Sequence, residues 1–135
     1  MVRIALANLR FPTTPDRSVS LALDAITEAA KAGAKILCFP EEFVPGYRLG
    51  PHTVAPPDPK FLQDAVAQIS AATRDAKLTV ILGTERIVEG GLRITSVVIN
   101  PDGATQVGRI RCSSILPRTN FLRLVHSDRS SRPVT

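Results

Sequence analysis

The chain has 135 residues, 44% of them hydrophobic, which suits one domain with a real core. No apolar run approaches a membrane span, and the start, MVRIALANLRFP, lacks the long apolar stretch of a secretory signal. The net charge of +5 resides in residues 109–135, with six Arg and one acid, Asp128, whereas residues 1–108 balance 11 basic against 11 acidic residues. The basicity therefore belongs to a tail and not to a domain face, which argues against a nucleic-acid-binding surface.

Val2 to Leu9 predicts a first strand, with Ile4 and Leu6 on one face and Ala5 and Ala7 on the other. A helix follows: Thr14 can cap it, Pro15 suits its first position, and Asp16 favours the positive dipole end. Val19, Ala22, Leu23, Ile26, Ala29 and Ala30 recur at helical spacing as one apolar stripe, and Gly33 suits the carboxyl cap. Ile36, Leu37, Cys38 and Phe39 form a short apolar run that predicts a strand buried on both faces. This β-α-β unit implies parallel strands.

Pro40 ends that strand, and two carboxylates, Glu41 and Glu42, open a loop otherwise made of Phe43, Val44, Pro45, Gly46 and Tyr47. In open α/β sheets ligands bind at the carboxyl ends of strands. A carboxylate held there among apolar side chains has its charged form disfavoured, which raises its pKa toward that of a general base. The competing reading is a pair of solvated loop acids.

Gly46 to Pro59 is rich in Gly and Pro and predicts a long irregular loop holding His52, which has no partner at ligand spacing. Asp58 and Pro59 start a second helix, with Phe61, Leu62, Ala65, Ile69, Ala72 and Ala76 as its stripe. Leu78 to Leu82 predicts a buried third strand ending at Gly83 and continued by Thr84 to Val88. The turns Glu89-Gly90-Gly91 and Asn100 to Gly103 then set out an antiparallel meander. The predicted order is β-α-β-α-β-β-β, an α/β layer with a meander on one side. Cys38 and Cys112 make no disulfide framework or metal spacing, which fits free thiols in a reducing cytoplasm, and no cofactor motif is present. Residues 109–135 hold five Ser and six Arg without helical or strand periodicity and read as a disordered end.

Residues 1–108 resemble the amino-terminal half of the nitrilase superfamily, the carbon–nitrogen hydrolases. The resemblance rests on VRIALANL, AKAGAKILCFP, FPEEFVPGY, LTVILGTERIVEGG and SVVINPDGATQVGR, in that order. It implies a partial αββα sandwich with its carboxyl half missing, and a Glu-Lys-Cys site acting on a small amide or nitrile. Glu41, directly after Phe39-Pro40, takes the place of the general base; Glu42 has no implied role. The implied Lys falls where this chain reads Arg109-Ile110-Arg111-Cys112, and no Lys follows Lys77. The implied nucleophilic Cys lies beyond the last residue, and Cys38 reads as a core thiol. With codons chosen from those that encode Arg109 to Asn120, a shifted frame reads Asp-Lys-Val-Gln-Leu-Asp-Pro-Ser-Glu-Asp-Glu, which restores the Lys. A frameshift near Gly108 and an inactive chain are therefore expected. The alternatives are a non-catalytic subunit-pairing or regulatory module and, last, a nucleic-acid binder using the Arg tail. A half-sandwich leaves an apolar sheet face exposed, so self-association is expected.

Overall fold

A computed structural model of the chain describes residues 1–48 and 56–109. Its elements run β1 (Ile4–Leu6), α1 (Pro15–Lys31), β2 (Ile36–Cys38), α2 (Pro59–Ala76), β3 (Thr79–Val88), β4 (Gly91–Ile99) and β5 (Thr105–Arg109). The five strands form one sheet in the order β1-β2-β3-β4-β5. Pairing is parallel across β1, β2 and β3 and antiparallel from β3 to β5.

Both helices begin on the expected caps. The Thr14 hydroxyl accepts from the Arg17 N–H, and the Asp58 carboxylate accepts from the Lys60 and Phe61 N–H groups, with Pro next in each case. These oxygens satisfy donors that the first helical turn leaves unpaired. α1 ends at Ala32 with Gly33 beyond it at φ 73°, whereas α2 ends on Lys77 at φ 54°, a left-handed conformation reached without glycine. The buried sides of the helices, including Val19, Ala22, Ile26, Ala65 and Ile69, share one core with Leu37, Val80, Leu82, Val97 and Ile99 of the sheet. Strand alternation puts all five of those sheet residues on one face. Both helices therefore cover that face.

The other face corrects the expectation that β2 is buried on both sides. In the shared register Ile4 lies beside Ile36, and Leu6 beside Cys38, Ile81 and Val98. Ile36, Cys38, Ile81 and Val98 are only half-buried, and Ile4 and Leu6 are 58% and 76% exposed. The small side chains of β1 face the helices and the large ones face outward. A local apolar run reports that a strand is covered, but not which other segment covers each side. Cys38 accordingly sits half-buried on the open face and not in the helix-side core, which corrects its reading as a core thiol. β1 is also shorter than expected, because the ladder with β2 pairs only three residues. His52, Cys112 and residues 110–135 lie outside the described residues.

Candidate functional site at the end of β2

Beyond Cys38 the chain stays beside β3 for one more bond, from the Phe39 N–H to the Ile81 carbonyl at 2.8 Å. It returns to β3 at Val44, whose N–H donates to the Gly83 carbonyl at 3.2 Å and which bridges to Thr84 in parallel. Between these two fastenings Pro40 to Phe43 turn out over β3. A Cβ placed on Gly83 would lie 2.0 Å from the Pro40 carbonyl oxygen and 2.8 Å from the Glu41 Cα. Gly83 is therefore a mid-strand glycine that lets a second backbone cross in contact, and not the end of a strand. Phe39 and Phe43 are both buried and pack with ring centroids 5.2 Å apart. The Val44–Pro45 peptide is cis, and Tyr47 packs on Phe11 at 6.2 Å between centroids.

The turn separates the two carboxylates. Glu41 is exposed, while Glu42, with φ 48°, is turned inward and only 3% exposed. The inward carboxylate meets two further charged groups. Arg48 grips Glu85 with both ends of its fork, Nε to Oε2 at 2.7 Å and Nη2 to Oε1 at 2.5 Å. The Glu85 side chain is fully buried and that of Arg48 is 21% exposed. Burial, then the negative charges of Glu85 and Glu41, push the Glu42 carboxyl above the usual carboxylate range; the Arg48 guanidinium and a backbone hydrogen bond from Arg48 oppose that rise. Glu85 holds the Arg48 guanidinium more firmly in its charged form. The rise expected of a carboxylate in this loop thus falls on Glu42.

The site therefore has an outward carboxylate, free to meet a substrate or a catalytic partner, on a turn anchored from below by two buried carboxylates and one guanidinium. Arg48 and Glu85 carried no expected role. A signal for Glu85 was present: it is an acid within the strand sequence TVILGTERIV, where alternation puts it on the same face as Gly83. Burial pushes the Cys38 thiol up, away from the thiolate form a nucleophile needs. A groove of about 280 Å³, lined by Leu62, Val66, Val97 and Val107 together with Thr84 and Glu85 of β3, adjoins the site, and Glu41 does not line it. Among the described residues no cluster of three His, Cys, Asp or Glu side chains could hold a metal ion, and no helix is long and apolar enough to cross a membrane.

Comparison with known proteins points one way. A family model described as carbon-nitrogen hydrolase matches residues 3–130. A cyanide hydratase of Gibberella zeae is 33% identical over 118 residues, which cover 78% of this chain and 32% of the relative. An aliphatic nitrilase of Rhodococcus rhodochrous is 28% identical over 130 residues, covering 87% of this chain and 32% of the relative. This chain thus spans about a third of the length of the curated relatives it matches. Among solved structures, an amidase from Nesterenkonia sp. superposes with a TM-score of 0.61 at 22% identity, covering 78% of this chain and 40% of that one. A variant of that amidase was solved in complex with acrylamide.

Proposed function

This chain belongs to the carbon–nitrogen hydrolase family, and on that premise we propose that Glu41 is the general base of a site that cleaves the carbon–nitrogen bond of a small nitrile or amide. Residues 1–108 supply the amino-terminal part of that hydrolase domain. In the reaction a cysteine thiol gives its proton to Glu41 and its sulfur attacks the nitrile or amide carbon. Glu41 then passes that proton to the nitrogen, which leaves as ammonia (from a nitrile, after water has added to the thioimidate). Deprotonated again, Glu41 takes a proton from the water that attacks the thioester and returns it to the departing sulfur. A lysine ammonium stabilises the oxyanion that develops between these steps. The observation that carries the assignment is the exposure of Glu41 on a turn fastened to β3 at both ends, while its neighbour Glu42 faces inward.

The Lys has no counterpart at its expected position, where the sequence reads Arg109-Ile110-Arg111-Cys112, so we assign this chain as read no turnover of its own. Groups that act as a unit lose nearly all activity when one is absent. The assay is ammonia release from simple nitriles and amides by the purified chain. No release above a protein-free control is expected; robust release abolished by Glu41→Gln would overturn the account of the missing Lys. For residues 109–135 we propose a shifted reading frame beginning near Gly108. The family match continues to residue 130 in the frame as read, which weighs against a shift, and DNA sequence across that point decides the matter. A Lys codon in a family-like context in another frame is expected, and its absence from all three frames would refute the shift.

The open sheet face supports a second element of the proposal, association of the chain through that face. Parallel strands are ordinarily covered on both sides, and here Ile4, Leu6, Ile36, Cys38, Ile81 and Val98 are covered by neither helix.

A further inference from the structure

The buried charges beneath the turn remain without a role once Glu41 is assigned. They lie where a loop carrying a functional side chain has the least support of its own. From Pro40 to Phe43 the backbone makes no ladder bond to β3, and it rejoins that strand only at Val44. Gly83 lets the turn approach closely but offers no side chain to hold it. Besides the buried Phe43, which packs on Phe39, what holds it is polar. Glu42, immediately after Glu41, is turned inward by its left-handed backbone and faces Arg48. Arg48, at the far end of the loop, is locked on Glu85 by two parallel hydrogen bonds, and Glu85 belongs to β3, the rigid element below. The chain of contacts therefore runs from Glu42 through Arg48 to Glu85 and crosses the whole turn. Bidentate pairs fix direction as well as distance, and a buried pair is held with little side-chain freedom.

We propose that Glu42, Arg48 and Glu85 are positioning residues, a buried clamp that ties both ends of the turn to β3 and thereby fixes the outward direction of Glu41. The proposal rests on Glu41 as the general base for its purpose, but not for its test. A base must be held to within a fraction of an ångström of its reaction geometry, and on a turn without ladder bonds the clamp does that work. Glu42 acts through its acceptor oxygen and Arg48 through its fork. An amide in place of the first carboxyl should therefore serve, and an ammonium in place of the guanidinium should serve poorly.

The test uses the full 135-residue chain, isotopically labelled, and reads order instead of turnover. In Glu42→Ala, amide hydrogen exchange from Glu41 to Tyr47 should rise at least tenfold, with α1 unchanged. The Glu41 backbone order parameter should fall from about 0.85 to below about 0.6. Glu42→Gln should restore both signals to wild type. Glu85→Ala should match Glu42→Ala; should it fail to fold, Arg48→Lys carries the test, with at least a threefold rise in loop exchange. An ordered turn in folded Glu42→Ala, equal loosening of α1 and the turn, or no rescue by Glu42→Gln would each overturn the clamp. Glu41→Gln should leave loop exchange at the wild-type level whether or not Glu41 is a base, so the two proposals fail separately.

Discussion

At Gly83 the absence of one methyl group decides where the turn can lie. Any Cβ there would meet the Pro40 carbonyl oxygen at 2.0 Å, a backbone atom that cannot swing aside as a side chain would. Gly83→Ala should therefore displace the turn and cost about 1–3 kcal/mol, the range for overpacked sites, read as a lower urea midpoint with an unchanged slope. Glu42 gives a test with a pH signature. Its carboxyl pKa is raised on folding, so the native state binds that proton more tightly than the unfolded chain does. The resulting stability is fully present below the unfolded value of about 4.3 and is lost as pH rises through the folded value. Glu42→Gln removes this dependence. The stability of Glu42→Gln relative to wild type should thus increase from pH 4 to pH 7, and a constant difference would contradict the raised pKa. Sequence reasoning located this loop and its two acids from the apolar run and Pro40. It could not tell inward from outward, because Glu42 is buried by residues as distant as Glu85, 43 positions along the chain.

The elements were legible wherever their signals are local. Thr14-Pro15-Asp16 and Asp58-Pro59 mark the starts of α1 and α2, and the glycine turns mark the meander. What depends on a second segment was not: β1 is as short as the ladder that β2 offers it, and Gly83 looks like a terminator until the crossing backbone is seen. The caps make opposite predictions at the two ends of α2. Asp58→Ala strips the acceptor from two backbone donors and should cost about 1 kcal/mol. Lys77→Gly should instead stabilise by about 1 kcal/mol, because a left-handed residue with a Cβ gives way to one without that penalty. Thermal unfolding of the two variants side by side should show shifts of opposite sign.

For the whole molecule the dominant fact is that, among the described residues, both helices lie on one side of the sheet. Leu6, 76% exposed, and Ile4, 58% exposed, stand at the β1 edge of the open face. Contiguous exposed apolar surface of this kind marks a contact surface. If association uses this face, Leu6→Glu should shift the chain toward monomer in sedimentation velocity at equal concentration, while Val107→Glu, at an exposed position of β5 on the helix side, should not. Equal behaviour of the two variants would move the contact elsewhere.

The turns that join β3, β4 and β5 are only a few residues long, whereas β1 and β2 each reach their neighbour across an entire helix. Closing a short loop loses less chain entropy than closing a long one, so the two halves of the sheet should differ in time as well as in direction. The meander can assemble while α1 and β1 are still searching, and β2 then adds to a strand already in place. Folding kinetics should report this order: Val98→Ala in β4 should slow folding, whereas Ala5→Gly in β1 should chiefly hasten unfolding. The crossing over Gly83 would close last, so that the turn bearing Glu41 takes its form only after the sheet beneath it has set.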